Sequence, residues 1–78
     1  MIKILADFNN KDEQGRVCLD TMGALKDIAV HKSELTEGME VLLYERGDFE
    51  VRAKLIFDLG LWKGVPLMDT LRYYEEKP

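Results

Sequence analysis

The stretch MEVLLYERGDFEVRAKLIFD, residues 39–58, decides the fold. In its second half Phe49, Val51, Ala53, Leu55 and Phe57 recur at every other position, and Glu50, Arg52, Lys54 and Asp58 fill most of the gaps. Side chains alternate faces along a strand, so this half has one apolar face and one largely wet face. The first half sets Met39, Val41 and Leu43 against Glu40, Leu42 and Tyr44. Between them Arg46-Gly47-Asp48 breaks both patterns and supplies turn chemistry. The two halves therefore read as a hairpin, and matching its apolar sets gives the register. One alignment places Leu43 opposite Val51, Val41 opposite Ala53 and Met39 opposite Leu55, with Glu40 opposite Lys54 on the other face. A slip of one residue would set Leu43 against Glu50 and turn the buried set outward, so the first register is expected. It leaves a three-residue connection with Gly47 or Asp48 at positive φ.

The rest of the chain is read outward from this hairpin. Residues 1–8 form a strand with Ile2, Ile4, Ala6 and Phe8 on one face, and the polar run 9–15 ends in glycine as a loop. Residues 16–21 form a short second strand, expected to pair antiparallel with the first across that loop. After Gly23, the residues Leu25, Ile28, Ala29 and Lys32 recur at helical spacing and predict one short helix over 24–31, with Thr21 able to cap its start. The β-branched Ile28 and Val30 make it a poor isolated helix that packing must hold, and an irregular crossover with a single turn is the alternative. Residues 36–38 feed the hairpin as a turn. Beyond it, 59–61 form a tight turn and 62–67 a strand beside the hairpin that Pro66 confines to an edge or a strand end. Residues 69–74 read as a last short strand or one helical turn, and 75–78 as a frayed tail.

Five or so short strands with one little helix predict a mainly β chain, a small barrel of SH3-like or OB-like kind. A length of 78 residues fits one domain over 1–78, one that buries only about 60% of its unfolded surface. Apolar residues at 46% and charged residues at 33% fit a folded chain, and the net charge of −4 argues against a generic polyanion binder. The one cysteine, Cys18, excludes an internal disulfide; between Val17 and Leu19 it reads as a buried structural thiol, and a reducing compartment fits. The first residues lack the long apolar core of a signal peptide, and no run approaches the roughly 18 apolar residues of a membrane span. The expected location is the cytoplasm, with no membrane partner.

The run Gly23-x-Leu25-x-Asp27-Ile28, then Leu35-x-Glu37-Gly38-Met39-x-Val41-x-Leu43-Tyr44, the alternating strand 50–58 and Asp69-Thr70-Leu71-Arg72-Tyr73 resemble small uncharacterised bacterial SH3-like β-barrel proteins. The resemblance spans most of residues 16–74. It implies the fold and brings no activity or catalytic residue with it.

Catalytic chemistry finds little material. His31, Ser33 and Cys18 are the only residues of their kinds, and on a helix residues two apart point to opposite sides. One cysteine and one histidine cannot assemble a tetrahedral zinc site. The loop Asp7-x-Asn9-x-Lys11-x-Glu13 departs from a calcium loop at Lys11, Asp12 and Cys18, which stand where an oxygen ligand, a glycine and a bidentate acid belong. Gly60-x-x-x-Gly64 lacks the Lys-Ser/Thr ending of a phosphate loop. No enzyme, cofactor or metal is expected. For nucleic acid, Arg52, Lys54, Lys63 and Arg72 offer charge and the tyrosines and Trp62 offer stacking, but Glu40, Glu50 and Asp58 lie on or near the same face. The composition of the turn after the hairpin is the stronger signal. Leu59, Leu61 and Trp62 surround a position that is normally polar, with Tyr73 and Tyr74 toward the chain end. They are either a plug over the barrel end or a contact surface. The functional expectation is a non-enzymatic protein-binding or assembly module, its partner another protein or a second copy, using Leu59, Leu61, Trp62, Tyr73 and Tyr74. A barrel binding single-stranded nucleic acid is the alternative.

Overall fold

The hairpin holds in the expected register. In the structure, a computed structural model that describes residues 1–74, β3 (Glu40–Glu45) runs antiparallel to β4 (Phe49–Asp58). Leu43 faces Val51, Val41 faces Ala53 and Glu40 faces Lys54. Gly47 takes the positive φ, at 69°, in the three-residue turn. The tail at 75–78 lies outside the described residues.

Around this pair stand β1 (Lys3–Leu5), β2 (Val17–Cys18), β5 (Leu61–Pro66) and β6 (Arg72–Tyr73), with one α-helix, α1 (Met22–Val30). Strand makes up 41% and helix, single turns included, 20%, so the chain is mainly β as expected. The sheet runs in the order β1-β3-β4-β5-β2 and curls into a half-barrel; β6 adds to β4 at Phe49 and Glu50. Pro66 ends β5, where its missing amide leaves no gap in a ladder. Residues 68–73 supply both of the expected alternatives, a single 3₁₀ turn at Met68–Thr70 and then β6.

Three expectations about the N-terminal half need correction. β1 does not pair with β2. It pairs parallel with β3, Ile4 beside Leu43, while β2 pairs antiparallel with β5. No ladder joins β1 to β2 among the described residues, so the sheet stays open rather than closing. The edge at β1 is covered by α1, whose Asp27 carboxylate accepts from the Leu5 amide at 2.8 Å. Thr21 caps α1 by accepting from the Ala24 amide. The packed side of α1 carries Ala24, Asp27 and Ile28, however, and leaves Leu25 and Ala29 exposed. Cys18 is only half-buried, on the face opposite its buried neighbours Val17 and Leu19.

The core lies inside the curl. Ile4, Val17, Leu19, Val41, Leu43, Val51 and Leu55 are its fully buried side chains, joined by Ala6, Ala24 and Ala53. Phe57 shares their face yet is 49% exposed, contrary to the alternation reading. The reason is length. β3 meets β4 only up to Lys54, so the last residues of β4 extend past the layer that would cover them.

Candidate functional site at the tip of the β4–β5 hairpin

Asp58 pairs with Leu61, so β4 and β5 are joined by Leu59 and Gly60 alone. Both are at positive φ, 54° and 76°. Two-residue hairpin turns favour this left-handed pair because it follows the right-handed twist of the strands. Gly60 adopts it without strain. A leucine there brings Cβ against the next carbonyl, at about 1–2 kcal/mol. Burial does not offset this, since Leu59 is 94% exposed. Behind it the Phe57 and Trp62 rings meet edge to face at 5.0 Å. Trp62 is half-covered and packs against the core, and Leu61 is half-buried. At the tip Trp62 is thus partly buried against the core while Leu59 is left exposed.

The outer side of the tip is held by charge. Lys63, next along β5, is only 7% exposed and donates to Asp12 and Asp58, each at 3.2 Å. Arg16 donates to the same two carboxylates, from Nε to Asp12 at 2.6 Å and from Nη2 to Asp58 at 3.1 Å. Asp12 also accepts from the amides of Gln14 and Arg16, which folds the 9–16 loop over the strand. Desolvation acts to raise the Asp12 pKa, but the bonds from Arg16, Lys63 and Gln14 outweigh it and hold the carboxyl well below the usual carboxylate range. Bonds to Asp58 and then Asp12 raise the Lys63 pKa.

A depressed carboxyl pKa stabilises the fold above the unfolded value of about 3.9 and loses that contribution as pH falls toward the folded value. Asp12→Asn is therefore expected to melt below the parent at neutral pH, with the gap narrowing as pH falls from about 5 toward 2. Melting curves that stay a constant distance apart across that range would exclude this role for Asp12.

The other candidates lie elsewhere. Tyr73 faces Phe49 at the opposite end of β4, eight residues from Phe57 and so ~26 Å away along the strand. There the Phe49 ring meets those of Phe8 and Tyr73 at a tilt, with centroids 4.7 and 5.7 Å away. The Tyr74 hydroxyl has a raised pKa, first from desolvation and then from the adjacent Glu50 carboxylate. The five expected contact residues are thus two groups, not one surface. Of the four cations, Arg52, Lys54 and Arg72 are exposed, but Lys54 stands opposite Glu40 and Arg72 opposite Glu50, while Lys63 is enclosed in the ion cluster. They form no continuous basic stripe. Two features escaped the sequence reading. One is the strained turn, for which Leu-Gly is not a usual signature. The other is the ion cluster, whose signal is the Asp12-x-x-x-Arg16 spacing. No helix among the described residues is long and apolar enough to cross a membrane. No known family, no curated protein and no solved structure matches this chain.

Proposed function

We propose that the chain is a non-enzymatic protein-binding module of the cytoplasm that docks through the tip of its β4–β5 hairpin. One observation carries this reading. Leu59 occupies a left-handed turn position at an energetic disadvantage while 94% exposed, so neither the turn nor the core accounts for it. Residues kept in such conformations against their own preference concentrate at functional sites. An exposed leucine beside a tryptophan and a phenylalanine is also the composition of an interface anchor. The single cysteine supports a reducing compartment.

Leu59→Asn separates folding from binding, because asparagine tolerates the left-handed position. The variant is expected to gain about 1 kcal/mol in denaturant unfolding, within the steric cost of a left-handed residue. In the same preparation it should lose the protein that the tagged parent chain retains from its native host. A variant that is more stable and still holds the partner would remove the tip as the site.

A further inference from the structure

β4 outruns β3 at a defined point. Gly38, at φ 87°, brings the chain in, and the last ladder bonds run from the Leu55 amide to the Met39 carbonyl and from the Gly38 amide to the Leu55 carbonyl. Main-chain groups two residues apart on a strand point the same way, so those of Phe57 face the side on which β3 is missing. There the Glu37 carboxylate accepts from the Phe57 amide at 3.1 Å, in an exposed bond, where a neighbouring strand would place a carbonyl. A carboxylate on an open edge guards it against indiscriminate pairing, and it also marks where pairing is possible.

Charge selects what fits. Asp12, Glu13 and Asp58 line the cleft beside Leu59 with Arg16 and Lys63, and Glu37 stands at the edge. Four carboxylates against two cations leave two negative charges in surplus, and both cations are engaged by Asp12 and Asp58. A second copy paired antiparallel across this edge would bring Glu37 against its own kind, in a chain of net charge −4. Resting on the tip as the binding surface, we infer that its occupant is an extended segment of another protein, with basic and apolar residues alternating, added as a strand to the β4 edge at Phe57. Its carbonyl takes the Phe57 amide and its own amide donates to the Phe57 carbonyl. The Glu37 carboxylate is released to pair with the basic side chain, and the apolar side chains fall on the Phe57–Trp62 pair and Leu59.

The test titrates the ¹⁵N-labelled full chain with an acetylated Lys-Val-Lys-Val-Lys-Val peptide. Its controls are a Glu-Val counterpart, Lys-Val peptides N-methylated on alternate amides in either register, and an oligo-dT strand. The Lys-Val peptide is expected to shift the Phe57 resonance and slow its amide exchange by about tenfold or more. The Glu-Val peptide should leave the tip unchanged, and one N-methylated register should lose binding. Glu37→Gln should weaken binding about 2–5-fold, the range of an exposed ion pair. Equal binding of the two charge types overturns the inference, as do an unprotected Phe57 amide, full activity of both N-methylated peptides, or oligo-dT occupying the tip. A native partner lost by Leu59→Asn while its binding leaves Phe57 exchange unaltered sinks strand addition alone. A native partner indifferent to Leu59→Asn sinks the site itself.

Discussion

Leu55→Ala is expected to lower the unfolding free energy by about 2–5 kcal/mol. Leu55 is fully buried at the middle of β4, between the Met39 end of β3 and Gly64 of β5. Truncation removes its apolar burial and leaves a cavity that a curled sheet, pinned by ladders on both sides of β4, closes only in part. A chain of this size has about 4–12 kcal/mol in all, from ~0.05–0.15 kcal/mol per residue, so the loss is a large share of it. Urea unfolding should show a lower midpoint with an unchanged slope. Phe57→Ala, on the same face of the same strand, should lose less because its ring is half exposed already. A Leu55 loss under about 0.5 kcal/mol would mean that the inside of the curl is not the core.

Gly64→Val is expected to destabilise by about 1–3 kcal/mol through overpacking. Gly64 sits mid-strand with Leu55 on one side and Val17 on the other. Its backbone is not at positive φ, so space rather than flexibility explains it. A Cβ at this position would lie 2.8 Å from Leu43 Cδ1 and 3.3 Å from the Ala53 Cβ. Leu43 belongs to β3, two strands away; its side chain crosses the concave face and closes over Gly64. Leu43→Ala should therefore restore part of the stability in the double variant, with a coupling of about 0.5–3 kcal/mol. Strictly additive losses in denaturant would show that the two residues do not share this space.

The hairpin was legible because everything that fixes it is local: an alternating strand, a turn triplet, and an apolar match that only one register satisfies. The helix was legible in place but not in facing. Its apolar residues surround too much of the axis, and the buried side is chosen by Asp27 reaching the Leu5 amide. The β1–β3 pairing left no local trace, since a parallel ladder needs no turn signal and links residues far apart in sequence. Alternation placed Phe57 on the correct face but could not say that the covering strand ends at Glu40. At the site, the greasy turn was visible as composition. The strain at Leu59 was not, because it arises from the twist that two paired strands impose on the residues joining them. Lys63 resembled any surface lysine until the distant Asp12 and Arg16 closed over it.

The parallel seating of β1 on β3 also sets an order of events on a growing chain. Lys3 lies beside Leu42, 39 positions downstream, whereas β3 and β4 meet across three residues. Closing the longer span costs roughly 2 kcal/mol more chain entropy than closing the shorter one. As the chain leaves a ribosome, β1 is therefore without this neighbour until the middle of the sequence has emerged. Its apolar Ile2, Ile4 and Phe8 wait uncovered through that interval, beside the lysine at position 3 and the acids at 7 and 12 that keep the waiting segment in water.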